Sequence, residues 1–273
     1  MKLETEMLPK YQRANGRVEI AFVSKKNTYS LDHLYQSGCL KALMPKNHSH
    51  VPEVVLINTA GGITGGDKLS ICVELREKVQ ATVTTQTAER IYKASHDLGK
   101  IEVQLDLKQA SSLDWIPQET ILFDKSAVQR SIKVNMSNNS YLFMVESIIL
   151  GRKAMGEIVT NNLFVDRWQI LRDNKPTYFE ALKLSNANEL SGLAMLGKNK
   201  ALATLLYVAP DSEERLQQMR VLLSKHDILG AATAWDGKLI VRLIAESPQF
   251  LRSSLIDIIT QFRKMSLPRV WLM

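Results

Sequence analysis

The chain has 273 residues, 45% hydrophobic and 23% charged, which is enough apolar material for a sizeable core and excludes a disordered chain. Thirty-five basic against 28 acidic residues leave +7 and a pI near 9.3, a surface basic enough to allow nucleic acid without implying it. Two cysteines, Cys39 and Cys72, are too few for a disulfide scaffold or a closed thiolate zinc site, and no apolar run approaches the roughly 20 residues of a membrane span. Glu4, Glu6 and Pro9 interrupt the start as a secretion signal would not, so the expectation is a cytoplasmic protein.

From Arg17 to about Leu184 the apolar residues recur with period two, the spacing of a strand with one face buried. Val18, Ile20 and Phe22 form the first such run. Leu69, Ile71, Val73 and Leu75 form another, and after the charged turn Arg76 to Lys78 the pattern resumes at Val79, Ala81 and Val83, which predicts a hairpin. Ile101, Val103, Leu105 and Leu107 alternate with polar residues. Val128, Ile132 and Val134 lead through the turn-rich stretch Asn135 to Ser140 into Tyr141 to Leu150, predicting strand, turn and strand. Short strands with frequent turns predict a mainly β fold of two stacked sheets, a β-sandwich with antiparallel strands or a short β-helix-like solenoid, although no fixed-length repeat is visible.

The period changes near the end of the chain. Asp211 or Ser212 is placed to cap a helix carrying Leu216, Met219, Leu222 and Leu223 on one face. Gly230 to Ile244 is predicted as extended, with its turn at Asp236-Gly237. Ser247-Pro248 then opens a second helix with the stripe Phe250, Leu251, Leu255, Ile258, Ile259 and Phe262. Helices are thus expected in the C-terminal quarter, as a helix-hairpin-helix elaboration at about 211–265 of a single domain, 1–273.

Thr59 to Lys68 reads TAGGITGGDK, and four glycines in six residues require either positive φ or the close approach of another segment. A phosphate cradle fails on spacing: Asp67 stands where a P-loop needs Lys followed by Ser or Thr, so the favoured reading is a turn between the strand at Val54 to Ile57 and the one starting at Leu69. Asn47-His48-Ser49-His50 offers two imidazoles to one side of an extended segment, but between Pro45 and Pro52 it reads as a solvated loop. His96 and His226 have ordinary settings in a turn and near a helix end. No nucleophile motif stands out. Two carboxylates do: Glu119 in SLDWIPQETILF, and Glu146 in the apolar run YLFMVESIIL, where a buried acid must be paired, protonated or metal-bound. The competing reading puts Glu146 on a polar face or pairs it with a nearby arginine such as Arg152.

Five strings in order, LINTAGGITGGDKL (Leu56 to Leu69), TTQTAERIYKA (Thr84 to Ala94), SLDWIPQETILF (Ser112 to Phe123), ESIILGRKAMGE (Glu146 to Glu157) and LPRVWLM (Leu267 to Met273), resemble the urease accessory protein UreD family, called UreH in some organisms. The resemblance implies a β-rich fold with strands in two sheets, somewhat like a short β-helix, and helices towards the C-terminal part. It implies a non-enzymatic subunit that joins UreF and the GTPase UreG on apo-urease and assists nickel insertion, with nickel in transit rather than permanently bound, and a dimer built through the heteromeric complex. Gly61, Gly62, Gly65, Gly66, Asp67, Thr84, Thr85, Gln86, Tyr92, Glu119 and Glu146 match family positions; Ala60 departs from the proline many members carry there. A conduit for a dication needs weak, exchangeable oxygen ligands, which nominates Asp67, Glu119 and Glu146 as its metal path.

Two other classes compete. A hydrolase or nucleotide-binding enzyme would use the Gly61 to Asp67 loop, with Asp67 as metal ligand or base. A nucleic-acid module would need clustered cations with stacking aromatics, whereas the densest pairs are only Lys25-Lys26 and Arg263-Lys264 and aromatics make up 7%.

Overall fold

The computed structural model describes residues 12–25, 28–46, 50–152, 155–186, 192 and 196–273. Asn47, His48, Ser49 and Lys26 lie outside these, so the paired-histidine and Lys25-Lys26 readings fall on residues not described; His50 is exposed.

Among the described residues the strands build two sheets. In spatial order the first holds β14 (Lys175–Asn186), β13 (Asn161–Arg172), β11 (Ala127–Met136), β8 (Gly99–Leu107), β5 (Lys68–Leu75), β1 (Asn15–Lys25) and β2 (Thr28–Gly38). The second runs β16 (Leu229–Trp235), β17 (Lys238–Ala245), β15 (Ala201–Val208), β12 (Tyr141–Leu150), β9 (Ser112–Trp115), β6 (Gln80–Thr85), β4 (Glu53–Asn58) and β3 (Leu40–Leu43). The short strands β10 (Thr120–Leu122) and β7 (Glu89–Ile91) extend it sideways from β12.

The middle of each sheet is parallel: β1, β5, β8, β11 and β13 in the first, β4, β6, β9 and β12 in the second. The chain winds from one sheet to the other and back, as a β-helix does, and only the flanking strands are antiparallel. This corrects one expectation. Arg76 to Lys78 does not close a hairpin, because β5 pairs with β1 and β8 whereas β6 pairs with β4 and β9. The strand, turn and strand expected from Val128 to Leu150 are present, and that turn also carries the chain across to the other sheet. Period two is the same in parallel and antiparallel strands, so alternation could not tell a turn of a solenoid from a hairpin. Gly16, Leu69, Ile101, Arg130 and Asp166 sit side by side in successive coils at unequal sequence intervals, which is why no repeat was visible.

Two apolar layers follow. Inward residues of both sheets, among them Val18, Leu75, Leu105, Val134, Leu142 and Phe164, form the core of the solenoid. The outer face of the second sheet packs on α1 (Leu216–Leu223) and α2 (Pro248–Arg263), burying Phe143, Val145, Leu205, Leu255 and Phe262. β12 is therefore covered on both faces, and its unbroken apolar run reflects that.

The Asp236-Gly237 turn is present with both residues at positive φ, as a two-residue hairpin turn requires. Ser247 caps α2 by accepting from Phe250 N, with Pro248 in the first turn, as expected; Phe250 itself is exposed rather than in the buried stripe. The expected cap of α1 is corrected. The helix starts at Leu216 without a side-chain cap, while Ser212 is buried and donates to Ala209 O at 2.9 Å, and Asp211 accepts from the Tyr207 hydroxyl at 2.7 Å. These residues pin the turn leading to the helix instead of opening it.

Candidate functional site

A cavity of about 120 Å³ opens inside the solenoid where β4, β7 and β10 approach the first sheet. Gln86, Thr87, Ala88 and Arg90 lie along it on one side; Trp115, Arg130 and Glu146 line it deeper in the core. Strand register explains how acids come to face it. The parallel ladder of β7, β10 and β12 sets Glu89 beside Thr120 and Thr120 beside Ile148, and Glu146 is the preceding inward position of β12.

The deep end is a buried charge cluster. Arg130 donates from Nε to Asp166 Oδ1 at 2.9 Å and from Nη2 to Asp166 Oδ2 at 2.6 Å, while its Nη1 pairs with Glu146 Oε2. The indole nitrogens complete the shell: Trp115 Nε1 donates to Glu146 at 2.8 Å and Trp168 Nε1 to Asp166 at 2.9 Å. Burial pushes the Glu146 pKa up and Arg130 pulls it back, with Asp166 adding to the rise. Two carboxylates thus share one guanidinium in a buried setting, so the second negative charge is held at a cost that a proton or a cation relieves.

Glu89, nearer the mouth, has no cationic partner of this kind. Its carboxylate accepts from Asn58 Nδ2 at 3.1 and 3.3 Å, and burial raises its pKa from 4.5 to about 7 against the lowering effects of that bond, of the Arg90 backbone N–H and of the neighbouring Arg90 charge. It changes charge near neutral pH inside a cavity that can admit a small ion.

The other nominated carboxylates lie elsewhere. Asp67 is buried, and its two oxygens accept from Ala14 N and Thr64 N, both at 2.8 Å. Glu119 pairs with Arg252 of α2 at 3.0 Å. Of the three nominated acids, Glu146 is the one that lines the cavity. The competing reading that an arginine pairs with Glu146 holds, with Arg130 as the partner in place of Arg152, which pairs with Glu157; the polar-face alternative is corrected, because β12 is buried on both faces.

The glycine loop is a packed joint. A Cβ on Gly62 would lie 2.3 Å from the Tyr92 ring, and one on Gly65 would lie 2.1 Å from the His96 carbonyl oxygen, so the neighbouring segment passes where a side chain would be. Gly61 and Gly66 supply positive φ. The amides of Gly61, Ile63, Thr64, Gly66 and Asp67 are spent on oxygens of the chain itself rather than presented to a phosphate, which does not favour the nucleotide-binding alternative. Tyr92 closes the loop by donating to Gly61 O at 3.3 Å and standing edge-on to Phe123.

Thr84 and Thr85 serve as joints of the same kind. Thr84 Oγ1 donates to Ile116 O at 2.7 Å and accepts from Trp271 Nε1 at 3.2 Å, fastening the C-terminal segment to β6; Thr85 Oγ1 accepts from Gln118 N at 2.9 Å. Arg252 stacks over the Trp271 ring and donates to its carbonyl oxygen at 2.9 Å. Through the buried Leu267 and Trp271, the LPRVWLM string is thus a clasp between α2 and the second sheet.

Comparison with known proteins agrees with this arrangement of motifs. The family model described as UreD urease accessory protein matches residues 14–272. The chain belongs to the UreD family of urease accessory proteins. The urease accessory protein UreD of Dinoroseobacter shibae is 43% identical over 271 residues, 98% of this chain and 96% of that one. That of Rhizobium leguminosarum bv. viciae is 41% identical over 263 residues, 95% of this chain and 96% of its own length. The motif strings of this UreD-family chain sort accordingly into joints (Gly62, Gly65, Asp67, Thr84, Trp271) and cavity walls (Gln86, Glu89, Glu146).

Sequence reasoning missed Arg130, Asp166 and Glu89. The first two left a signal, since each occupies an inward position of an alternating strand: Arg130 between Val128 and Ile132, Asp166 between Phe164 and Trp168. A charge there has to find a partner across the core. Glu89 left none, because its partial burial arises from the sideways placement of β7. Among the described residues no three His, Cys, Asp or Glu side chains converge as a metal cage, and no helix is long and apolar enough to cross a membrane.

Proposed function

We propose that this chain acts as a cytoplasmic, non-enzymatic subunit of the urease maturation machinery, joining UreF and the GTPase UreG on apo-urease and providing a polar route by which nickel reaches the enzyme. The observation that carries the reading is the cavity with Glu89 towards its mouth and Glu146 at its deep end. Each acid is already bonded to a neutral donor or a single arginine, so each can lend an oxygen to a passing dication without holding it. Nickel is cargo in this scheme. Arriving at Glu89 it displaces a proton, and at Glu146 it offsets the carboxylate charge that Arg130, shared with Asp166, leaves uncompensated. Asp67 and Glu119 act indirectly, by fixing the glycine loop and the contact with α2.

The test is the nickel content of urease after activation with wild-type, Glu89→Gln or Glu146→Gln complexes at matched assembly levels. Both variants are expected to lower loading several-fold when nickel is limiting and much less when it is abundant, because mass action compensates a weakened route. Unchanged loading by both variants at limiting nickel would reject the route.

A further inference from the structure

Strand register brings together cations that lie far apart in the sequence. On the outer face of the first sheet Lys68 of β5 stands beside Lys100 of β8, and the same row continues through Gln129 of β11 and Val165 of β13 to Lys183 of β14. The next row runs Arg17, Ser70, Glu102, Ser131 and Arg167. Like charges side by side on neighbouring strands repel, which costs the fold stability. Among the described residues the side chains of Lys68, Lys100, Arg167 and Lys183 make no ion pair that would offset it, and all four are exposed. Arg17, Lys68 and Lys100 line a cleft of about 510 Å³ in which Glu102 is the single acid and Ser37, Gly38 and Ser70 leave room for a main chain. Further along the strands the face changes sign: the adjoining cleft sets Glu19 and Glu102 against Arg17 and Lys133, and the following row carries Glu74 and Asp106. The positive charge is therefore local to the strand starts and is not the average of a +7 chain.

Size and chemistry decide what fits. Strands about 4.8 Å apart put the ends of the row, Lys68 and Lys183, about 19 Å from each other, the length of an extended segment of about six residues. All the cations of the two rows lie at the surface, with no buried donor among them to grip a small free anion, and no aromatic side chain lines the cleft for a nucleic-acid base to stack on. Carboxylates at both ends of an extended segment would meet both groups of cations, while its uncharged middle crosses Gln129 and Val165.

We propose that these two rows are a docking face for an acidic segment of a protein partner, with carboxylates at its two ends paired to Lys68 and Lys100 and to Arg167 and Lys183. The inference is independent of the nickel reading.

Fluorescence anisotropy on the full chain, carried on a soluble fusion partner that serves alone as the blank, tests it with a labelled octapeptide bearing two glutamates at each end and a Ser/Gly middle. Wild type is expected to bind the peptide, and to bind it more weakly as salt is added. Lys68→Glu with Lys100→Glu should lower the affinity at least tenfold, and should bind the lysine-ended analogue of the peptide better than wild type does. Lys108→Glu with Lys175→Glu makes the same change in net charge at the other end of the strands and should stay within twofold of wild type. If circular dichroism shows that the two-glutamate variant fails to fold, Lys68→Gln with Lys100→Gln takes its place, with an expected loss of at least fivefold. No binding by wild type, or an equal loss in the two charge-reversed variants, would overturn the proposal. So would displacement of the peptide by inorganic phosphate at constant ionic strength, the mark of a small-anion site, or tighter binding of a single-stranded RNA octamer that the same variant abolishes.

Discussion

Glu89 is half-buried on a cavity wall, with its carboxylate held by hydrogen bonds from Asn58 and the Arg90 backbone, and those features give it a measurable thermodynamic signature. Its carboxyl titrates at about 7 in the folded chain against 4.5 as an ordinary glutamate, so between those values the folded state keeps a proton that the unfolded state has released. Stability from this group is complete below about pH 4.5 and is lost as pH rises through 7. Glu89→Gln removes the dependence. Denaturant titrations should find the variant more stable than wild type by about 1–3 kcal/mol at pH 8 and equal to it near pH 4.5. The buried cluster makes a contrasting prediction. Glu146→Gln resembles the protonated acid and leaves Arg130 paired with Asp166, so it should cost no more than about 1–2 kcal/mol. Arg130→Met strands two carboxylates away from water and should cost about 3–5 kcal/mol, read from the same titrations.

At the scale of elements, the glycine loop and the C-terminal clasp hold the coils in register. The loop precedes β5 and touches the segment after β7, joining a strand of one sheet to the region that positions Glu89. Asn58 is the link, since its Nδ2 donates both to Glu89 and to Gly62 O. Gly65→Val drives a Cβ into the His96 carbonyl, and backbone cannot yield as a flexible side chain can. The expected outcome is a reduced yield of soluble accessory complex, measured by co-purification, rather than normal assembly with slow nickel transfer. Normal assembly would instead assign the loop a role in transfer.

At the scale of the whole molecule, the parallel strands enclose the solenoid core, and one layer of helices covers the second sheet on one side only. Exposed apolar side chains remain along the rim, including Phe179 at 59%, Leu229 at 67% and Ile158 at 75%. Surfaces of that kind favour association. The chain expressed alone is therefore expected to be poorly soluble and to be rescued by co-expression with UreF, as judged by the soluble fraction and size-exclusion chromatography. A stable monodisperse monomer indifferent to UreF would contradict this.

The sequence by itself determined the strands with clear alternation or apolar runs (β1, β4, β5, β6, β8, β11, β12, β16 and β17), the two helices, the Asp236-Gly237 turn, the Ser247 cap and the family, because each rests on local periodicity, turn chemistry or contiguous strings. It also singled out Glu146 as an acid in an apolar run. Only the tertiary structure decided that the turns after β5 and β11 cross between sheets, since alternation is the same whichever strand lies alongside. It alone brought Arg130, Asp166 and Glu146 together from three strands, and it alone placed Glu89, half-buried, on a cavity wall. Partners across a core are set by how the coils stack, and the unequal coil lengths of this chain hide that stacking from any local reading of its sequence.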